Sequence, residues 1–128
     1  MRILLDTSVL LGPPVDLDDD ADNAISAISL AELHFGVLVA RTAEIRAERL
    51  RRLGLIEKTF DALPVDDAVA REYGRLAASV VQAGRQPRGR VADLLIAATA
   101  RAHDAELWTR NGADLRGLET LVSVRAPG

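Results

Sequence analysis

Apolar residues in this chain come either in short continuous runs or at helical spacing. Ile3-Leu4-Leu5 is a continuous run, the pattern of a strand buried on both faces, and it predicts a first strand over Arg2–Leu5. Val9–Leu11 resumes the apolar character beyond Asp6-Thr7-Ser8. Gly12-Pro13-Pro14 then breaks the chain, and Val15–Asn23 reads as an acidic, solvated loop. Ala24–Ser29 is a second short apolar run, and Leu30, Leu33, Val37 and Leu38 predict a helix over Leu30–Ala40. Thr42 opens a longer helix to about Leu63, with a stripe of Ile45, Leu50, Leu53, Ile56 and Phe60 among Arg41, Arg46, Arg49, Arg51 and Arg52. Leu63-Pro64-Val65 predicts a brief strand. Asp66 or Asp67 caps a helix through about Ala83, which Gly84 stops. After the polar loop Gly84–Gly89 comes a strongly apolar helix, Val91–His103. Glu106–Thr109 and Leu121–Val124 predict strands on either side of Asn111–Leu118.

Strands alternating with helices argue an α/β fold of three layers, a mainly parallel central sheet covered by helices on both faces. At 128 residues the expectation is one domain over 1–128. An apolar fraction of 48% and a charged fraction of 27% suit a packed globular chain and exclude disorder as the main state. The absence of cysteine excludes disulfide scaffolds, thiolate catalysis and Cys-ligated metal. No apolar run approaches the ~18 residues that span a bilayer. Asp6 interrupts the N-terminal apolar stretch, so the expectation is a cytoplasmic protein with neither signal peptide nor membrane contact. The formal charge is −3, which excludes a uniformly basic surface but not a local arginine patch.

In parallel sheets, ligands gather at the carboxyl ends of the strands. Asp6 ends the first strand, Glu32 follows the second, Asp93 stands in the first turn of the apolar helix, and Asp114 follows Glu106–Thr109. Carboxylates sharing one cleft repel each other, and a divalent cation relieves that repulsion. Hard oxygen ligands without His or Cys select Mg²⁺ or Mn²⁺. Such an ion can orient water and stabilise attack on a phosphodiester.

Each acid also has a plainer reading. Ser29-Leu30-Ala31-Glu32 fits a capping box, with Ser29 as cap and Glu32 reaching back. Asn111-Gly112-Ala113-Asp114 fits a similar cap. Asp93 suits the positive end of a helix dipole, and Asp6 can form a turn with Thr7 and Ser8. Asp16, Asp18 and Asp20 have the spacing of a calcium loop, but Ala21 and Ala27 stand where such a loop needs Gly and Glu. His34 and His103 lack partners at ligand spacing and read as structural or surface residues. Ser8 has no His–Asp constellation to make it a nucleophile.

Four segments, LLDTSVLL, ISLAEL, RVADLLIAATA and WTRNGADL, together resemble the PIN-domain ribonucleases of the VapC type, the toxins of type II toxin–antitoxin pairs. They occur in the family's order and approximate spacing, and the resemblance runs from end to end. It implies an Mg²⁺-dependent endoribonuclease that leaves 5′-phosphate and 3′-hydroxyl ends. Asp6 and Asp93 would hold the ion. Glu32 would complete the shell or orient the attacking water, and Asp114 would support a second ion or a metal-bound water. Thr7, Thr109 and Asn111 would line the site, and Arg85, Arg88, Arg90, Arg110 and Arg116 become candidates for RNA contact. A VapB-type antitoxin and a toxin homodimer are the implied partners. The chain departs from the family pattern at Leu115, where Phe is frequent, and in the short acidic connection Gly12–Asn23.

Two other classes share parts of this pattern. A receiver domain needs a Lys at a strand end, and the single Lys, Lys58, falls inside a helix. A non-catalytic binding module on the same fold stays open; its expected signature is loss of an acid, and all four positions are filled.

Overall fold

The computed structural model describes residues 1–127. In chain order the elements are β1 (Arg2–Leu5), α1 (Thr7–Leu11), β2 (Asp22–Ser26), α2 (Ala27–Leu38) and α3 (Ala43–Thr59), then β3 (Asp61–Leu63) and α4 (Asp67–Gln82). They continue with α5 (Val91–Ala102), β4 (Glu106–Trp108), a 3-10 turn (Gly112–Leu115) and β5 (Val124–Arg125). The strands form one sheet in the order β3-β2-β1-β4-β5, and every pairing is parallel. The expected parallel sheet is thus wholly parallel. Leu5 pairs with Ile25 on one side and Trp108 on the other, so β1, β2 and β4 end level.

Successive side chains of a strand point to opposite faces, and β1 shows why its run is unbroken. Leu4 packs with Ala24 and Leu107 against α4 and α5, through Val69, Leu76, Val80 and Leu94. Ile3 and Leu5 pack with Ile25 and Trp108 on the other face, against Val9 of α1, Leu33 and Val37 of α2, and Leu53 and Ile56 of α3. Helices therefore cover both faces.

Several boundaries differ from expectation, each for a local reason. Val9–Leu11, left without an assigned element above, belongs to the helical turn α1. The second strand begins at Asp22, and α2 starts at Ala27 because Ser26 caps it, accepting from the Ile28 amide at 3.0 Å. The long helix stops at Thr59, and the brief strand precedes Pro64, which has no N–H to extend a ladder. The last strand lies at Val124–Arg125; the amides of Leu121 and Val122 close a turn onto the Leu118 carbonyl instead. Of the stripe expected on α3, Leu53 and Ile56 are buried, while Ile45 and Leu50 are exposed, because α3 packs mainly on α2. Asp66 caps α4, accepting from the Val69 amide at 3.1 Å, and Gly84 leaves the helix at φ +77°. No helix among the described residues is long and apolar enough to cross a membrane.

Candidate active site

The level ends of β1, β2 and β4 make the edge where the acids assemble. Asp6 extends β1 by one residue, donating its amide to the Trp108 carbonyl at 2.9 Å. Its own carbonyl accepts from the amides of Val9 and Leu10, starting α1. The side chain caps nothing. It turns to the sheet edge, where Oδ2 accepts from Ser8 Oγ at 2.8 Å and from Thr109 Oγ1 at 2.7 Å. Asp6 is only 8% exposed, so these hydroxyls replace water around a buried carboxylate. They are themselves held: Ser8 Oγ accepts from the Arg110 amide and Thr109 Oγ1 from the Asn111 amide, both at 3.0 Å.

Asp93 stands in the first turn of α5, half-buried. Asp114 lies in the 3-10 turn, its amide donating to the Asn111 carbonyl at 2.9 Å. Asp6, Asp93, Thr109, Asn111 and Asp114 line one small cleft over an apolar floor of Ile96, Leu107 and Leu115. Burial pushes the Asp93 carboxyl above the ordinary carboxylate range, the charges of Asp6, Asp114 and Glu32 push it further, and the Arg90 guanidinium opposes them. All four acids thus share one electrostatic neighbourhood.

Glu32 lines the neighbouring groove between α2 and α3, not this cleft. Thr7 Oγ1 joins it, 2.8 Å from Glu32 Oε1 and 2.9 Å from Ser29 Oγ. The capping box expected at Ser29–Glu32 is absent: Ser26 is the cap, and Ser29 is buried beneath Thr7. The Asn111 side chain likewise caps nothing in the 3-10 turn. The hydroxyls of Ser8 and Ser29 are site features that sequence reading passed over. Their signal was position, at or just beyond strand ends beside an acid.

Among the described residues no three Asp, Glu or His side chains stand close enough to enclose an ion by themselves. The donor set lining this cleft is hard oxygen. That fits a small hard cation held by one or two carboxylates and completed by water, rather than by a protein cage.

Three arginines reach backbone carbonyls: Arg90 Nη1 donates to Asp114 at 3.0 Å, Arg85 Nη1 to Arg116 at 3.3 Å and Arg110 Nη2 to Pro13 at 3.0 Å. Arg88 and the Arg116 side chain are exposed beside them. The histidines lie elsewhere. His34 Nε2 pairs with Glu57 at 3.2 Å, and His103 sits at the opposite end of α5 from Asp93, beside Arg2.

Known proteins match this arrangement over nearly its whole length. The PIN domain family profile matches residues 3–118. Ribonuclease VapC5 of Mycobacterium tuberculosis is 38% identical over 126 residues, covering 94% of this chain and 90% of that protein. The crystal structure of VapBC-5, a member of the VapBC family of toxin–antitoxin systems from the same organism, superposes with a TM-score of 0.82 at 37% identity, covering 98% of this chain and 97% of that one. VapBC2 of Rickettsia felis, at 23% identity and a TM-score of 0.82 with both chains fully covered, shares the fold. The chain belongs to the PIN-domain family.

Proposed function

We infer that this chain is a metal-dependent endoribonuclease and the toxin of a toxin–antitoxin pair. The observation that carries the reading is the convergence of Asp6, Asp93 and Asp114 on one cleft floored by apolar side chains, where burial and the neighbouring carboxylates raise the proton affinity of Asp93. A folded protein that only gripped a partner would gain nothing from like charges held together. Relatives that cover most of the chain are named ribonucleases, which supports the same reading.

Asp6 and Asp93 are the residues that would hold Mg²⁺, or Mn²⁺ in its place. The ion would neutralise charge developing on the phosphate and orient water for in-line attack. The chain's own residues do the rest. Ser8 and Thr109 fix the rotamer of Asp6, so the donor oxygen is in place before substrate arrives. Thr7 fixes the Glu32 carboxylate in the adjoining groove, from which it would complete the ion's shell or orient the attacking water. Asp114 adds its carboxylate to the lining of the same cleft, where it would support a second ion or a metal-bound water. Exposed Arg88 and Arg116 take RNA phosphates, which lets a chain of net charge −3 grip a polyanion locally.

The partner reading has its own surface. Phe35 and Leu38 of α2 are 66% and 73% exposed, and the groove between α2 and α3 is lined by Leu11, Leu33, Ile45 and Glu32. An amphipathic VapB-type helix laid in that groove would cover Leu11 and Ile45 and meet Glu32, with Phe35 and Leu38 as further exposed apolar residues on α2. The likeness to VapBC-5, a toxin–antitoxin system, supports an antitoxin partner.

The test is cleavage of total cellular RNA by the purified chain, with Mg²⁺ and with excess chelator, followed by sequencing of the ends. Cleavage with 5′-phosphate ends in Mg²⁺ and none in chelator is expected. Unchanged RNA in Mg²⁺, with folded protein present, would leave the non-catalytic module as the better account.

A further inference from the structure

We propose that Arg90 is a positioning residue of the acid cluster: its guanidinium ties the 3-10 turn that carries Asp114 to the start of the helix that carries Asp93. Little else holds Asp114 in polar terms. The 3-10 turn lacks a side-chain cap, and among the described residues no hydrogen bond fixes the Asp114 carboxylate. Leu115 and Leu118 anchor the turn to the core, both almost fully buried. They hold the turn's inner face and leave its outer face to polar contacts.

Arg90 supplies such a contact from a firm base. Gly89 turns the chain at φ +83°, a conformation that favours glycine. The Arg90 amide then donates to Pro87 O at 3.0 Å, and its carbonyl accepts from the Leu94 amide at 2.9 Å as α5 begins. From there the half-buried side chain reaches the Asp114 carbonyl at 3.0 Å. The same charge stands against Asp93, three residues on, and offsets part of the repulsion from the other acids. One guanidinium thus sets the relation between two walls of the cleft. Arg85 makes a second such link, to the Arg116 carbonyl, at a longer 3.3 Å. Arg88 lies between them in sequence and is exposed, the placement of a phosphate contact.

The activity arm of the test rests on the nuclease reading; the exchange arm does not. In Arg90→Ala, backbone hydrogen exchange over residues 111–118 should accelerate at least tenfold, with β1 and α4 unchanged. A merely destabilising substitution would raise exchange throughout. With total cellular RNA as substrate, kcat should fall about 10- to 100-fold, the usual loss when a supporting contact of a site is removed. KM and its salt dependence should hold. Arg90→Lys keeps the charge and one donor and should recover part of kcat. Arg88→Ala should instead raise KM and reduce the salt slope of RNA binding by about 0.7, the contribution of one phosphate on a single strand. Unchanged exchange at 111–118 in Arg90→Ala overturns the proposal, as does a rise in KM with kcat intact. If the wild type cleaves nothing, the nuclease reading fails while the exchange result still decides the role of Arg90.

Discussion

Replacing Thr109 by Val removes a hydroxyl and keeps the side chain's shape. Thr109 is 2% exposed, and its Oγ1 donates to Asp6 Oδ2 at 2.7 Å. A hydrogen bond to a charged group is worth roughly 1.5–3 kcal/mol. Thr109→Val deletes that bond and leaves Ser8 as the one hydroxyl donor to a carboxylate only 8% exposed. The Asn111 amide also loses its acceptor, but Asn111 is exposed and water replaces it at little cost. The expected loss is therefore about 2 kcal/mol. For a domain of this size that lowers Tm by about 6–10 °C. Thr109→Ser separates hydroxyl from methyl: it keeps the bond and gives up one buried methyl, about 0.8 kcal/mol. The assay is thermal and urea unfolding of the three proteins in chelator, with cleavage rates in Mg²⁺ alongside. Activity should follow the hydroxyl, falling at least tenfold in the Val variant and staying within about threefold in the Ser variant. If Thr109→Val unfolds within about 0.5 kcal/mol of wild type, the Asp6 carboxylate is not held by this hydroxyl, and the account of how the site is preorganised fails.

Other consequences follow from the same geometry. Asp93 carries a carboxyl pushed upward in the folded state, so the folded protein binds a proton more tightly than the unfolded chain. Wild type should therefore lose stability, relative to Asp93→Asn, as pH rises from the ordinary carboxylate range through the raised value; urea titrations across pH in chelator should reveal that difference, and parallel curves would contradict it. For the same reason Asp93→Asn should melt above wild type in chelator at neutral pH, and Mg²⁺ at tenfold excess over its Kd should raise wild type by about 1.4 kcal/mol while moving the variant less. Gly12→Ala puts a methyl 2.6 Å from Arg110 Nε and 3.1 Å from the Ser8 carbonyl. It should force Arg110 off the Pro13 carbonyl and lower stability by about 1 kcal/mol; an unchanged urea midpoint would show that the arginine swings clear freely.

The legible part of this chain was whatever its periodicity encoded. Ile3-Leu4-Leu5 announced a strand with a helical layer on each face, and Asp66 and Gly84 marked the ends of α4 by local chemistry. The strand-end rule named the acids, and the structure brings Asp6, Asp93 and Asp114 into one cleft. Boundaries were obscured where two residues competed for one role. Ser26 and Ser29 both precede helical periodicity and both are fully buried; only their contacts separate them, Ser26 Oγ accepting from the Ile28 amide while Ser29 Oγ meets the distant Thr7 Oγ1. The stripe on α3 misled because periodicity gives a face and not what covers it, so Ile45 and Leu50 remain exposed. The arginines were legible as a group near the acids. Which of them reach backbone carbonyls depends on contacts across 24 and 97 positions, from Arg90 to Asp114 and from Arg110 to Pro13, and no local pattern records that.

The central claim is that Asp6, Asp93 and Asp114, with Glu32 in the adjoining groove, serve one metal-dependent nuclease site. Its most direct test compares initial rates of RNA cleavage by wild type and Asp93→Asn in Mg²⁺, with matched circular dichroism. Asn keeps the shape of Asp and loses the charge that would hold the ion, so the account predicts loss of at least about 10³-fold, near 4 kcal/mol of barrier, with the fold intact. Cleavage by Asp93→Asn at close to the wild-type rate would contradict it.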